Sequence, residues 1–120
     1  MSYMFYDCTS LLSLNVINFD TINTVNMKAM FYNCNLLKEL NVGSWYTGEV
    51  VDLSFIFCKC ENLSSIDIDN WYTYNVLDMS YMFGDCTSLK YLNNLNLVTN
   101  NVNTMSYMFC LLYTSPSPRD

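Results

Sequence analysis

The chain has 120 residues, the length of one ordinary domain, and with 52% hydrophobic and 13% charged residues it can bury a core. Its formal net charge of −6, with only five Lys and Arg, excludes a cationic stripe for nucleic-acid phosphates and disfavours anionic membrane surfaces. Its apolar runs are shorter than the roughly 18 residues of a transmembrane helix, so we expect no direct membrane insertion.

A repeat of 26 residues organises the sequence. The pattern Met-x-x-Met-Phe begins at positions 1, 27, 79 and 105, and a degenerate copy, Leu53-x-x-Ile56-Phe57, begins at position 53. The constant step defines four complete repeats, 1–26, 27–52, 53–78 and 79–104, and a partial repeat, 105–110. Similar residues at a fixed step are typical of stacked coils in which each repeat covers the apolar side of the next.

The first predicted element of each repeat is a short helix. Met27, Met30, Phe31 and Cys34 are spaced i, i+3, i+4 and i+7, which is the stripe of one helical face. The residues that precede these stripes can all act as N-caps, and they are Asn26, Asp52, Asp78 and Thr104. A helix of about two turns is too short to be stable alone, so it depends on stacking between repeats.

The second predicted element is a short strand. Leu40 and Val42 alternate with Asn41, the period of a strand with one buried face. Equivalent strands of successive repeats are expected to pair in parallel, ~4.8 Å apart. The sequence therefore predicts an α/β solenoid in which each coil contributes a short helix and a short strand of a parallel sheet.

Three columns of similar side chains are predicted to form the core of this stack. They are a Phe column (Phe5, Phe31, Phe57 and Phe83), a Cys column (Cys8, Cys34, Cys60 and Cys86) and a Leu column (Leu11, Leu37, Leu63 and Leu89). The segment 111–120, Leu-Leu-Tyr-Thr-Ser-Pro-Ser-Pro-Arg-Asp, departs from the repeat and is expected to be disordered or to be an artefact of adapter read-through. No polar capping repeat is recognised at either end, so we interpret the chain as a fragment and expect end-to-end self-association.

The sequence carries no sign of catalysis. Without histidine, the Ser-His, Cys-His and His-metal sites are excluded, and three glycines do not form a phosphate loop. Asp67 and Asp69 alternate and could form an acid–base pair or hold Ca²⁺, but no other repeat carries the pair, so we interpret it as a solvated face. We expect no enzyme activity and no cofactor.

The six cysteines are interpreted as structural. Cys58 and Cys60 have one residue between them, against the two to four of structural zinc sites, so no metal is predicted. The Cys column has the spacing of a disulfide, but its Cβ vectors would run parallel, which favours buried reduced thiols. Cys58 and Cys110 stand outside the column and are expected to be more accessible.

The best candidate for a ligand-binding face is the outward side of the predicted strands. A polar column there is rich in asparagine and consists of Asn15, Asn41, Asp67 and Asn93, with Asp69 beside it. Rigid ladders of this kind suit a protein or glycan partner. Tyrosines, including those next to Trp45 and Trp71, form a second possible interface, although packing at the edges of the coils is the more ordinary explanation.

The motif Met-x-x-Met-Phe-x-x-Cys-x-x-Leu-x-x-Leu, complete at 1–14, 27–40 and 79–92, resembles that of the BspA-like leucine-rich-repeat surface proteins. The resemblance implies a leucine-rich-repeat-like solenoid on a cell surface or in a secreted protein, with a role in adhesion or host interaction. The alternatives are an intracellular scaffold for protein–protein interaction and a structural spacer without a ligand.

Overall fold

Equivalent residues of successive repeats lie on one another in the computed structural model, which describes residues 1–90 and 97–109. Isolated parallel bridges join Asn26 to Asp52, Asp52 to Asp78 and Asp78 to Thr104, each pair 26 residues apart. The backbone bonds beside them include Val51 N–H to the Val25 carbonyl (2.8 Å) and Leu77 N–H to the Val51 carbonyl (2.8 Å). The 26-residue step of the sequence repeat is thus also the separation between residues that pair in space.

The predicted α/β solenoid of leucine-rich-repeat type is wrong. The part of the chain that the structure describes contains no helix and no sheet, and its regular extended pairing is limited to isolated bridges. Where a helix was predicted, residues 27–34 form consecutive turns, in which the N–H groups of Met30, Tyr32 and Cys34 each donate to the carbonyl three residues earlier.

The helix is absent because every second N–H group of this segment donates to the next repeat and not to a carbonyl within the segment. Those of Ala29, Phe31 and Asn33 donate to carbonyls of the next repeat, at 2.9, 2.9 and 2.8 Å. An α-helix needs the same donors for bonds within the segment, four residues apart. Each complete repeat has two left-handed residues in these turns, four positions apart, and the partial repeat has one. Their φ is positive at Tyr3, Asp7, Ala29, Asn33, Phe55, Lys59, Tyr81, Asp85 and Tyr107.

The predicted N-caps have a related role without a helix. The side-chain Oδ1 atoms of Asn26, Asp52 and Asp78 each accept the N–H of the residue two positions later, at 2.8 to 2.9 Å. This Asx-type bond satisfies a donor at the start of the run of turns, much as a cap does at a helix start.

The predicted strand also takes another form. Leu40 and Val42 are buried and Asn41 is exposed, but among the described residues no backbone hydrogen bond joins 13–17 to 39–43. The alternation therefore reflects burial on one side of an irregular segment. Beside this segment, repeats are joined by the Ser64 N–H to the Lys38 carbonyl (3.3 Å) and the Lys90 N–H to the Ser64 carbonyl (3.1 Å).

The core consists of stacked side chains. Phe31, Phe57 and Phe83 are fully buried, with ring centroids 5.9 and 5.5 Å apart and planes within 17° of parallel. Trp45 and Trp71 form a second stack, 6.4 Å apart. The Leu and Cys columns are buried in repeats 2 to 4, whereas Phe5, Cys8 and Leu11 in repeat 1 are partly buried.

Buried polar groups connect the repeats. The Thr47 hydroxyl donates to the Tyr72 carbonyl and accepts the Tyr72 N–H, both at 2.8 Å. Thr73 makes the same two bonds to Val98. Because these threonines are about 1% exposed, each hydroxyl satisfies two peptide groups that water does not reach.

Candidate binding site

An open groove of about 850 Å³ crosses three repeats. It contains three of the five residues proposed for the ligand face: Asn15, Asn41 and Asp67. Its lining is formed by residues 12–15, 38–42 and 64–67. Because these segments occupy equivalent positions of their repeats, stacking brings the three side chains into one site.

Tight turns hold two of these side chains. Asn15 Oδ1 accepts the Ile17 N–H at 3.2 Å, and Asp67 Oδ1 accepts the Asp69 N–H at 3.0 Å. Within the described residues the Asn41 side chain forms no hydrogen bond. The groove therefore offers the Asn15 amide nitrogen, the second Asp67 oxygen and the whole Asn41 amide to a ligand.

The groove combines an apolar floor with a polar rim. Leu40, Val42 and Ile66 are buried beneath it. The rim residues Ser13, Lys38, Glu39, Ser64 and Ser65 provide hydroxyls and both signs of charge. Convergent polar groups above an apolar surface are typical of binding sites.

The other two proposed residues are not in this groove. Asp69 lines a separate depression of about 390 Å³ with Asn70, Trp71, Tyr72 and Tyr74. Asn93 lies outside the described residues, as does the tail 111–120. Among the residues that the structure describes, no three His, Cys, Asp or Glu side chains are placed to hold a metal ion.

The thiols of Cys34, Cys60 and Cys86 are buried, and burial keeps them protonated at neutral pH. Desolvation raises the pKa of Cys34 to about 11 and that of Cys86 to about 12, and it also raises the pKa of Cys60. The thiolate is the nucleophilic form, so these groups are unreactive at neutral pH. The expectation that Cys58 is accessible is wrong, since it is 3% exposed beneath Gly84, where a Cβ would lie 3.2 Å from the Cys58 Sγ. Cys110, for which the same was expected, lies outside the described residues.

An aromatic row runs along the turns of the repeats. Tyr6 stacks on Tyr32 at 4.9 Å, Phe55 on Tyr81 at 4.7 Å, and Tyr81 on Tyr107 at 5.0 Å. Lys59 Nζ lies 5.8 Å from the centre of the Tyr32 ring, and the neighbouring Tyr32 raises the pKa of Lys59. Phe55 was not predicted as part of this row, although aromatic residues recur at the third position of four of the five repeats.

These features define a repeat protein with an open groove and an aromatic face. The chain belongs to the family described as Mycoplasma protein of unknown function, DUF285, whose model matches residues 1–115. No curated protein and no solved structure matches the chain. Within residues 1–90 and 97–109, no helix has the length and apolarity needed to cross a membrane.

Proposed function

We propose that this chain is a binding module of a surface or secreted protein and that it holds a protein or glycan partner in the groove. The observation that carries the proposal is the convergence of Asn15, Asn41 and Asp67 in one open site of about 850 Å³. The resemblance of the repeat motif to BspA-like surface proteins supports a location outside the cell and a role in adhesion.

The chemistry of the groove suits such partners. Amide and carboxylate groups can bind sugar hydroxyls or peptide groups, while the exposed Leu12 side chain offers apolar contact. Segments 13–16 and 39–41 add peptide groups that, among the described residues, form no backbone hydrogen bonds to one another. A partner can therefore gain both polar and apolar contacts across three repeats.

The test is binding to an array of immobilised purified glycans and extracellular-matrix proteins. The double variant Asn41→Ala with Asp67→Ala removes two groove side chains, and we expect it to weaken any wild-type binding at least about tenfold while the melting temperature changes little. The matched control is Asp20→Ala with Asn23→Ala, which removes the same residue types from a different depression, of about 420 Å³.

Retained binding by the control variant together with loss by the groove variant supports the proposal. Equal binding by the groove variant and the wild-type protein rejects the groove as the site. Absence of wild-type binding to every immobilised glycan and protein rejects the proposed adhesion function.

A further inference from the structure

Repeat 3 carries two side chains that the other complete repeats lack at the equivalent positions. Asp69 stands where the others have isoleucine, glycine and leucine, and Tyr74 stands where they have isoleucine, glycine and asparagine. Both line the depression of about 390 Å³, whose lining is Asp69, Asn70, Trp71, Tyr72, Tyr74 and Val98. Repeat 3 therefore brings a carboxylate and an additional ring together at one place.

Two exposed rings form part of this depression. Tyr72 and Tyr74 are 55% and 57% exposed, and their ring centroids lie 6.2 Å apart with planes 31° from parallel. In repeat 2 the equivalent tyrosine, Tyr46, lies over Gly48, where a Cβ would collide with its phenol. Because Tyr74 has a side chain at the equivalent position, the Tyr72 phenol cannot lie as that of Tyr46 does, and both rings present apolar surface to solvent.

Hydrogen bonds to the neighbouring repeats fix the backbone that carries the rings. The Tyr72 N–H and carbonyl both bond to the Thr47 hydroxyl at 2.8 Å. The Tyr74 carbonyl accepts a hydrogen bond from Asn101 Nδ2 at 2.7 Å. Trp71, which is 4% exposed, forms the buried floor. A guest therefore meets a preorganised surface, which lowers the entropy lost on binding.

The charge of the depression favours a cationic guest. Asp69 is exposed, and within the part of the chain that the structure describes its carboxylate forms no hydrogen bond. Its N–H donates to Asp67 Oδ1 at 3.0 Å, which places a second carboxylate nearby. No lysine or arginine is among the described residues that line the depression, and the whole chain has a formal net charge of −6. The local field is therefore negative.

We propose that this depression binds the guanidinium group of an arginine side chain from a partner protein. A guanidinium is flat, so it stacks on a tyrosine ring, and its fork of N–H donors pairs with a carboxylate through two hydrogen bonds. Asp69 supplies the carboxylate, Asn70 supplies a further acceptor, and Tyr72 and Tyr74 supply the rings. The depression shares no residue with the groove, so this inference and the proposed function fail independently.

The first test compares three probes on the wild-type chain by saturation-transfer NMR. N-acetyl-argininamide is expected to bind with a Kd on the order of 1–10 mM. N-acetyl-citrullinamide has nearly the same shape but carries a neutral urea, and N-acetyl-lysinamide has the charge without the flat fork. We expect each of them to bind at least about threefold more weakly. Because this comparison needs no variant, it tests the inference whether or not the substitutions below are tolerated.

The second test uses variants with N-acetyl-argininamide as the probe. Asp69→Asn removes the charge with little change of shape and is expected to weaken binding about fivefold. Tyr74→Asn introduces the residue of repeat 4 and is expected to weaken binding about threefold. The matched control is Glu49→Gln, which removes an exposed carboxylate that does not line the depression. It has the same net charge as Asp69→Asn and is expected to bind the probe as the wild-type protein does.

Undiminished binding by Asp69→Asn, or equal weakening by Glu49→Gln, overturns the inference, because the carboxylate of the depression would then not be the recognised group. Equal binding of either analogue overturns it too, and so does absence of argininamide binding up to about 50 mM. Stronger binding of methyl-β-glucoside than of N-acetyl-argininamide also overturns it, since the depression would then be a sugar site.

Discussion

The Cys60 thiol donates a hydrogen bond to the carbonyl of Phe31, 29 residues earlier, with Sγ 3.2 Å from the oxygen. The same carbonyl accepts the Cys34 N–H at 3.2 Å. Cys86 repeats the arrangement with the Phe57 carbonyl at 2.9 Å. The recurring cysteine is therefore a small buried side chain that also donates to a carbonyl of the preceding repeat.

These buried thiols are expected to lower the free energy of unfolding as the pH rises into the alkaline range. The ordinary pKa of a thiol is 9.0 and that of native Cys86 is about 12, so above pH 9 the unfolded chain loses protons that the native protein keeps. The free energy of unfolding is then expected to fall by about 1.4 kcal/mol per pH unit for each such thiol. Urea titrations in reducing buffer between about pH 8 and about pH 10.5 measure this slope.

Cys86→Ala is the control for the pH dependence. It removes one titrating thiol, so its slope is expected to be smaller by about 1.4 kcal/mol per pH unit. Identical slopes for the variant and the wild-type protein would show that burial does not raise the pKa of Cys86.

Phe57→Ala is expected to cost about 3–5 kcal/mol of unfolding free energy because it opens a cavity between Phe31 and Phe83. Phe57→Leu is expected to cost less and serves if the alanine variant does not fold. Phe109→Ala is the control. Because Phe109 is 41% exposed, this substitution is expected to cost less than about 2 kcal/mol of unfolding free energy. Urea unfolding measures all three, and equal effects at positions 57 and 109 would contradict the burial of the column.

Thr47→Val is expected to destabilise the protein by about 2–4 kcal/mol, although the two side chains have nearly the same shape. The change leaves the Tyr72 N–H and carbonyl without the hydroxyl that each bonds at 2.8 Å. Thr9→Val provides a matched control at an exposed position, with an expected change below about 0.5 kcal/mol. Thermal unfolding measures both variants. Equal melting temperatures for Thr47→Val and the wild-type protein would contradict the buried hydrogen bonds between Thr47 and Tyr72.

A glycine is expected to be better tolerated at Lys59 than at Lys38. Lys59 has φ of 64°, a backbone conformation that is strained for a residue with a side chain. Glycine is expected to relieve about 1–2 kcal/mol of this strain, partly offset by the lost contact with Tyr32. Lys38 is exposed and is not among the positive-φ residues, so Lys38→Gly is expected to cost about 0.5–1 kcal/mol. Chemical unfolding of both variants gives the difference, and a larger cost at Lys59 would contradict the left-handed turn.

The sequence could indicate which residues stack but not the backbone that stacks them. The step between Phe31 and Phe57 follows from the repeat alone. The spacing of Met27, Met30, Phe31 and Cys34 fits a helix, but it is also produced by turns with a left-handed residue at every fourth position. Ala29 and Phe55 carry no glycine-like signal for positive φ, so the turns could not be predicted.

The candidate site was predictable in part for a similar reason. Asn15, Asn41 and Asp67 share a column, and the register alone places them together. Asp69 was assigned to the same face by strand alternation, but a tight turn onto Asp67 directs the chain toward another depression.

The hydrogen bond of the Phe31 N–H tests the central claim, which is that alternate peptide groups of residues 27–34 bond to the next repeat. NMR couplings transmitted through hydrogen bonds identify the acceptor of each N–H directly. We predict a coupling from the Phe31 nitrogen to the Ile56 carbonyl, whose atoms are 2.9 Å apart. A coupling from the Phe31 nitrogen to the Met27 carbonyl would instead establish a helix and contradict this account.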